Sequence, residues 1–300
     1  MPRERGPWYG PGPMKHVLGV IGGSGIYEIP GVSVVDEHHL DTPFGTPSDT
    51  IVRGRHGDAE LLFLPRHGRG HRTPPHKINY RANIAALKLL GATHVVSLSA
   101  VGSMKEEIVP GHVVIVDQYV DLTKRRVSTF FDDDVAAHVA FGDPVCPELS
   151  KALVVAARRA GGTVHVGGTY VCMEGPQFST RAESLIYRSW GVSVIGMTAM
   201  PEAKLAREAE LPYATLALAT DYDCWHESEE DVNVSAVVAV LKANADLAQR
   251  TVLELAKALP DPTGSPAANA LAHAILTPPA AIGPDVRDRL GFLLKKHLGS

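Results

Sequence analysis

Residues 213–225 read YATLALATDYDCW, an apolar run that ends in two aspartates. A run this apolar predicts a strand buried in a parallel sheet. Asp221 and Asp223 follow it directly, and two carboxylates are costly to take out of water unless something uses them. Because ligands of α/β sheets bind at the carboxyl ends of the strands, the segment predicts a small-molecule site whose acidic side chains bind basic nitrogens.

Composition limits the classes of function. The chain has 300 residues, 45% of them hydrophobic, and a net charge of −4. It has neither a basic stripe, which nucleic-acid binding would need, nor an apolar run of the roughly 20 residues that span a membrane. The three cysteines, Cys146, Cys172 and Cys224, are scattered and form no disulfide framework or CxxC pair. We therefore expect a cytoplasmic protein that binds neither nucleic acid nor a membrane.

Apolar runs alternate with helical patterns along the chain, which predicts a single α/β domain with a central mixed β-sheet flanked by helices. Residues 1–13 are rich in Pro and Gly, and we expect a disordered extension with Met14 as a candidate first residue. Residues 260–300 form a C-terminal segment, rich in Ala and Pro, that ends in a short amphipathic helix. The predicted strands are His16–Ile21, Glu60–Leu64, Thr93–Leu98, His112–Val116, Val164–Val171 and Val192–Ile195. The predicted helices are Asn79–Leu90, Pro147–Ala160, one beginning at Pro201, and Val234–Leu259.

Donor groups follow several of these strands. Gly22-Gly23-Ser24-Gly25 is a glycine turn whose N–H groups can face an anion, and the Arg66 fork matches phosphate oxygens. Ser99, Ala100 and Thr198 add hydroxyl and N–H donors, so together these groups predict a free phosphate held without a metal. Taken singly, each has a structural alternative: a tight turn, an arginine paired with a buried carboxylate, or a capped strand end.

Other side chains have two interpretations each. His67 and His71 have the spacing of a metal pair, but no Cys or carboxylate lies nearby at ligand spacing, so we predict no metal. Phe178 could stack on a flat ring and Met197 could pack under a sugar, or both could belong to the core. Of the two aspartates, Asp223 is the better candidate for a cap on the next element.

Taken in order, the motifs resemble those of the trimeric purine nucleoside phosphorylases and, within that class, the 5′-methylthioadenosine phosphorylases. The resemblance covers about residues 15–259, so residues 14–259 are expected to form the phosphorylase domain. Each motif is unspecific alone, but the combination is highly specific. The matching segments are Ile21–Gly25, Asp41–Gly45, Pro65–Gly68, Asn79–Asn83, Ser99–Ser103, Glu174–Ser179, Gly196–Thr198 and Thr220–Trp225.

The resemblance implies a role for each matching residue. Asp221 and Asp223 are implied to be catalytic. The implied phosphate site consists of Ser24, Arg66, His67, Ser99, the Ala100 backbone and Thr198. The implied nucleoside contacts are Met197 at the ribose, Phe178, Ser179, Asp221, Tyr222 and Asp223 at the base, and Val234 and Val237 at the 5′ end. His138 is implied to reach the 5′ end across the interface of a homotrimer, or of a dimer of trimers, and the C-terminal segment to help cover the pocket.

Asp221 discriminates within this class. The similar 6-oxopurine phosphorylases have an asparagine there, which can donate to an oxo group, whereas an ionised aspartate accepts from a 6-amino group. The expected reaction is phosphate-dependent cleavage of 5′-methylthioadenosine to adenine and 5-methylthioribose 1-phosphate. No cofactor is expected, and inorganic phosphate is the co-substrate.

Three alternatives remain. One is a 6-oxopurine nucleoside or methylthioinosine phosphorylase, against which Asp221 argues. The second is a dinucleotide-dependent oxidoreductase, but Ile26 and Tyr27 follow the glycine turn where that fingerprint needs a further glycine. The third is a non-catalytic nucleoside-binding module, which is disfavoured because phosphate and base groups are both present.

Overall fold

An eleven-stranded mixed sheet forms the centre of the computed structural model, which describes residues 16–23, 29–132, 135–226 and 234–298, without the side chains of 234–238. Its strands are β1 (Val17–Gly22), β2 (Ser33–His38), β3 (Ile51–His56), β4 (Ala59–Pro65), β5 (His94–Ser103), β6 (Val113–Ile115), β7 (Gln118–Asp121), β8 (Val164–Val166), β9 (Thr169–Cys172), β10 (Val194–Gly196) and β11 (Tyr213–Asp221). The helices are α1 (Tyr80–Leu89), α2 (Pro147–Arg159), α3 (Arg181–Ser189), α4 (Ala199–Glu208), α5 (Val234–Ala256), α6 (Pro284–Arg289) and α7 (Gly291–Leu298).

Hydrophobic layers cover both faces of the sheet. Helices α1 and α4 pack together on one side, and α2 and α5 on the other. Side chains of a strand alternate between faces, so Val17 and Ile21 of β1 join the first layer while Leu18 and Val20 join the second. Burial on both faces explains why β1 and β11 read as continuous apolar runs. The predicted fold class, a single α/β domain with a mixed sheet, is confirmed.

The long strand β5 changes neighbours along its length. Along one edge it pairs in parallel with β1 as far as Ser97, and then antiparallel with β10 from Gly102 onward. Along the other edge it pairs with β11 as far as Gly102. Between Ser97 and Gly102, no described strand pairs with the first edge. The sheet is therefore open beside residues 98–101, at the carboxyl ends of β1, β5 and β11.

Some predicted elements differ in the structure. The predicted strand Val164–Val171 is two strands, β8 and β9, because Gly167 and Gly168 between them adopt positive φ angles of 80° and 122°. The single C-terminal helix predicted is two, α6 and α7. Strands β2, β3 and β7 and helix α3 were not predicted; every residue of β2 is at least partly exposed, so it shows no buried face.

The C-terminal segment packs against residues 130–139. Ile275 forms a bridge with Ala137, and the Phe292 ring packs on the Phe44 and Phe130 rings. Glu210 holds α7 by accepting from Lys296 Nζ at 2.8 Å. The segment thus lies away from the opening beside β5, and its predicted role as a pocket cover remains a prediction.

Candidate active site

A cavity of about 630 Å³ occupies the opening beside β5. It brings together side chains that lie far apart in the sequence and that follow different strands. The predicted site residues that line it are Arg66, His67, Ser99, Ala100, Phe178, Met197, Thr198, Asp221 and Asp223. We call the side with Arg66, His67, Ser99 and Thr198 the hydroxyl end, and the side with Asp221 and Asp223 the carboxylate end.

The hydroxyl end depends on the antiparallel pairing of β5 and β10. Because the two strands run in opposite directions, the chain leaving β10 returns beside the middle of β5. The Thr198 and Ser99 hydroxyl oxygens are consequently 3.2 Å apart. Both residues are buried, and their hydroxyl groups face a cavity that can hold an anion.

Arg66 lies at this end, but its fork is directed at a carboxylate. The side chain is 2% exposed, and its Nε and Nη2 donate to the two Glu202 oxygens at 2.8 and 3.0 Å. It also donates to the Leu98 carbonyl at 3.0 Å and to the Ser97 hydroxyl at 2.7 Å. Burial alone would lower the pKa of Arg66, but the charge of Glu202 outweighs burial and raises it. The alternative of an arginine paired with a buried carboxylate is therefore confirmed, with Glu202 as the partner. Arg66 also lines the cavity, and its contact with phosphate remains a prediction.

His67 is a neutral imidazole in this setting. Its Nδ1 is 2.9 Å from the Thr73 carbonyl, so Nδ1 carries the proton and Nε2 is left as an acceptor. Burial, together with the neighbouring Arg66 charge, lowers the pKa of His67 to about 4. The ring stacks on His71 at 4.2 Å between centroids. Near neutral pH, His67 can therefore accept a hydrogen bond from a protonated oxyanion.

Asp221 is the last residue of β11 and lies at the carboxylate end. Its Oδ1 accepts from the Asp223 backbone N–H at 2.8 Å, and its Oδ2 accepts from the Thr220 hydroxyl at 2.6 Å. Asp221 is thus the residue that caps the following turn, a role that the sequence had favoured for Asp223. Burial raises the pKa of Asp221 despite these two donors, which makes it the better candidate to carry a proton.

Asp223 is held differently. It adopts a positive φ of 52°, and its carboxylate accepts from the Ser184 hydroxyl at 2.5 Å and from the Ser179 hydroxyl at 3.1 Å. Gly102 lies beneath the pair, where a Cβ would be 3.0 Å from Asp221 Oδ1 and 3.2 Å from the Asp223 Cβ. Neither Ser184 nor Gly102 had been singled out, since their roles arise only from contacts across the fold.

Phe178 and Met197 form walls of the cavity. Phe178 is 84% exposed, so the alternative that it belongs to the core is wrong. Gly175 leaves room for the Met197 sulfur, which would be 2.5 Å from a Cβ at that position. Both side chains are available to contact a bound molecule.

Six predicted site residues are not among the described lining of the cavity, and one of them, Ser179, lies next to it because its hydroxyl donates to Asp223. The Tyr222 ring turns away from the cavity and stacks on His226 at 4.5 Å, so the structure does not place this side chain among the base contacts. His138 lies beside a separate cavity, where its backbone N–H donates to the Ala274 carbonyl. Ser24 lies outside the described residues, and Val234 and Val237 belong to α5 with side chains outside the description.

Arg126 is an unpredicted residue that supports several walls at once. Its side chain is 2% exposed. Its Nη1 donates to the carbonyls of Met197 and Met200 at 2.7 and 2.6 Å, and its Nε donates to Glu174 at 2.8 Å. Met200 has non-helical backbone angles, so these carbonyls need a donor from outside the helix. The pattern KRR in the sequence gave no reason to expect one of these arginines to be buried.

The described residues contain neither a cluster that could hold a metal nor a helix that could span a membrane. No group of three or more His, Cys, Asp or Glu side chains in that part of the chain is arranged to hold a metal ion. No helix within the same residues has the length and apolar character needed to cross a membrane.

Comparison with known proteins identifies relatives over almost the whole chain. The model of the phosphorylase superfamily matches residues 17–257. The S-methyl-5′-thioadenosine phosphorylase of Geobacter sulfurreducens is 54% identical over 95% of this chain and 100% of its own length. That of Koribacter versatilis is 51% identical over 95% of this chain and 98% of its own length.

Solved structures agree with the sequence relatives. A methylthioadenosine phosphorylase from an Antarctic soil metagenomic library is 47% identical, with a TM-score of 0.89 over 94% of this chain and 100% of its own. The methylthioadenosine phosphorylase of Schistosoma mansoni in complex with adenine is 38% identical, with a TM-score of 0.77 over 81% of this chain and 91% of its own. By these matches, the chain belongs to the phosphorylase superfamily and, within it, to the family of S-methyl-5′-thioadenosine phosphorylases.

Proposed function

We propose that this chain catalyses the phosphate-dependent cleavage of 5′-methylthioadenosine to adenine and 5-methylthioribose 1-phosphate. The observation that carries the proposal is that one cavity has hydroxyl and imidazole groups at one end and two carboxylates at the other. The relatives' names support the same substrate.

At the hydroxyl end, phosphate accepts from the Ser99 and Thr198 hydroxyl groups, with the Arg66–Glu202 pair behind it. His67 Nε2 accepts the hydrogen bond of the phosphate hydroxyl. The bond between C1′ and the base breaks with its electron pair going to the base, and a phosphate oxygen forms the new bond to C1′. Positioning and charge stabilisation of the cationic sugar by phosphate account for catalysis without a covalent enzyme intermediate.

At the carboxylate end, the two aspartates divide the recognition of the base. Asp221, whose pKa is raised by burial, donates a proton to N7 of the leaving adenine. Asp223, which the Ser179 and Ser184 hydroxyl groups hold in place, acts as the acceptor for the 6-amino group. Phe178 stacks on the base and Met197 packs under the ribose.

The test is adenine release with and without inorganic phosphate. We expect release from 5′-methylthioadenosine only when phosphate is present. A panel with adenosine, inosine and 5′-methylthioinosine separates the candidates: faster turnover of the two 6-oxo compounds would favour the alternative phosphorylase. Asp221→Asn should lower turnover about 10³-fold, because general acid catalysis contributes roughly 10²–10⁴. An Asp221→Asn variant with full activity would remove Asp221 from the mechanism.

We also propose a homotrimer in which a neighbouring subunit completes the 5′ pocket. A second cavity of about 700 Å³ lies beside His138, with Phe131, Val135 and Val139 in its walls. Phe131 and Val135 are already buried, but His138 is exposed and Val139 is partly exposed, so these two side chains suit contact with a second copy of the chain. His138→Ala should raise KM for 5′-methylthioadenosine more than KM for phosphate, and light scattering should give the mass of three subunits. We propose a cytoplasmic location as well, which the three free cysteines support.

A further inference from the structure

Helix α3 buries a single residue, and that residue is a serine. Of its nine residues, only Ser184 is buried, with 0% of its surface exposed. A buried hydroxyl is unfavourable unless it is hydrogen-bonded. Its partner is the Asp223 Oδ2 atom at 2.5 Å. An inward-facing helix position is usually apolar, but Ser184 instead makes a polar contact with the wall of the cavity.

The start of α3 holds Ser184 in place. Thr180 is the N-cap, and its side chain accepts from the Glu183 backbone N–H while the Glu183 carboxylate accepts from the Thr180 N–H. Because Ser179 directly precedes this N-cap, both serines approach the same carboxylate. Ser179 donates to Asp223 Oδ2 at 3.1 Å. The capping box therefore sets the position of a donor on Asp223.

The two hydroxyl donors on Asp223 affect which base its carboxylate can bind. Its remaining lone pairs can accept from a 6-amino group, whereas a 6-oxo group brings another acceptor and no donor. Ser184 donates at the shorter distance, and its position is fixed by burial.

We propose that Ser184 is a positioning residue for base specificity: by holding Asp223 as a fixed acceptor, it sets the preference for 6-aminopurines over 6-oxopurines. This inference rests on the proposed function, since it assigns the carboxylate end to the base. Ser184 itself does not touch the substrate.

The experiment compares Ser184→Ala with Ser189→Ala. Ser189 lies in the same helix, but its hydroxyl donates to the Ile186 carbonyl on an exposed surface, so it is the matched control. For Ser184→Ala we expect kcat/KM for 5′-methylthioadenosine to fall about tenfold, as for the loss of a hydrogen bond to a charged group. The value for 5′-methylthioinosine should not fall, so the ratio of the two changes about tenfold. Ser189→Ala should leave the ratio unchanged.

A double variant tests whether Ser184 acts through Asp223. In the Asp223→Asn background, Ser184→Ala should not change the ratio further, because the acceptor it positions is gone. An equal loss for both nucleosides, or the same effect in the Asp223→Asn background, would overturn the proposal and leave Ser184 a merely structural residue.

Binding of the free bases separates this inference from the proposed reaction. By calorimetry, Ser184→Ala should weaken adenine about tenfold relative to hypoxanthine, whether or not the protein cleaves a nucleoside. If adenine release does not depend on phosphate, the proposed function fails. If the two bases keep their relative affinities in Ser184→Ala, the inference fails instead.

Discussion

The two ends of the cavity are built from different parts of the fold. The hydroxyl end consists of strand ends that the sheet and α4 bury, and behind it lies the closed pair of Arg66 and Glu202. The carboxylate end consists of the short turn after β11, held by side chains of α3 and by the segment before it. One end is thus part of the hydrophobic core, whereas the other is fastened by individual hydrogen bonds at its edge.

This difference predicts different responses to substitution. At the hydroxyl end, a change that opens the Arg66–Glu202 pair leaves a charge in the core and affects folding. At the carboxylate end, a change that shifts Asp221 or Asp223 affects base recognition while the core remains intact. Substitutions at the hydroxyl end should therefore lower the free energy of unfolding, whereas substitutions at the carboxylate end should lower activity.

The largest effect is expected from Glu202→Gln. The amide would turn N–H donors toward the Arg66 guanidinium and leave its charge uncompensated where both side chains are 2% exposed or less. Removing one partner of a buried ion pair typically costs about 3–5 kcal/mol of unfolding free energy, which urea denaturation would measure. Glu148→Gln is the control, because its pair with Lys151 is exposed and should contribute less than about 1 kcal/mol. A similar loss of unfolding free energy in both variants would contradict the expectation that stability depends on the buried pair at the hydroxyl end.

The next largest effect is expected from Gly102→Ala. Its Cβ would lie 3.0 Å from both Asp221 Oδ1 and the Ile195 side chain, so the carboxylate must move. A displacement of about 1 Å in a site costs roughly 10²-fold, and we expect that loss in kcat/KM for 5′-methylthioadenosine. Gly264→Ala is the control, since nothing lies within 4 Å of its added Cβ. Unchanged kinetics in Gly102→Ala would show that the carboxylate end tolerates displacement.

The sequence predicted the strands whose ends form the site more successfully than the roles of the side chains there. Buried runs such as 17–22 and 213–221 are visible as apolar stretches, because both faces of these strands are covered. For Arg66 the sequence left phosphate and a buried carboxylate open as partners, since Glu202 is 136 residues away and nothing local connects them. Ser184 and Gly102 act through contacts between distant segments, and no local pattern reports such contacts.

A third prediction concerns the walls between the two ends. Arg126→Lys would leave at least one of the Met197 and Met200 carbonyls without its donor, because an ammonium cannot reproduce the planar fork. Thr198 lies between these residues, so we expect KM for phosphate to rise about tenfold, the effect of roughly one hydrogen bond. Arg53→Lys is the control, with an ion pair to Glu60 on the distant strands β3 and β4. If Arg126→Lys lowered the free energy of unfolding without changing KM for phosphate, Arg126 would have only a structural role.

A fourth prediction distinguishes the two ends by the sign of their pH dependence. The folded-state pKa of His67 is lowered to about 4 from 6.5, so between these values the unfolded chain binds a proton that the folded chain does not. His67 therefore contributes stability that is present above pH 6.5 and is lost as the pH falls toward 4. Asp221 has a raised pKa, so its contribution has the opposite sign, falling as the pH rises above 3.8. Urea denaturation at pH 4.5 and 7 measures how much the unfolding free energy rises between these two pH values. His67→Gln should reduce this rise by on the order of 2 kcal/mol. Asp221→Asn should increase it. If both variants changed the pH dependence of the unfolding free energy in the same direction, the two ends would not have the opposite electrostatic contributions that we expect.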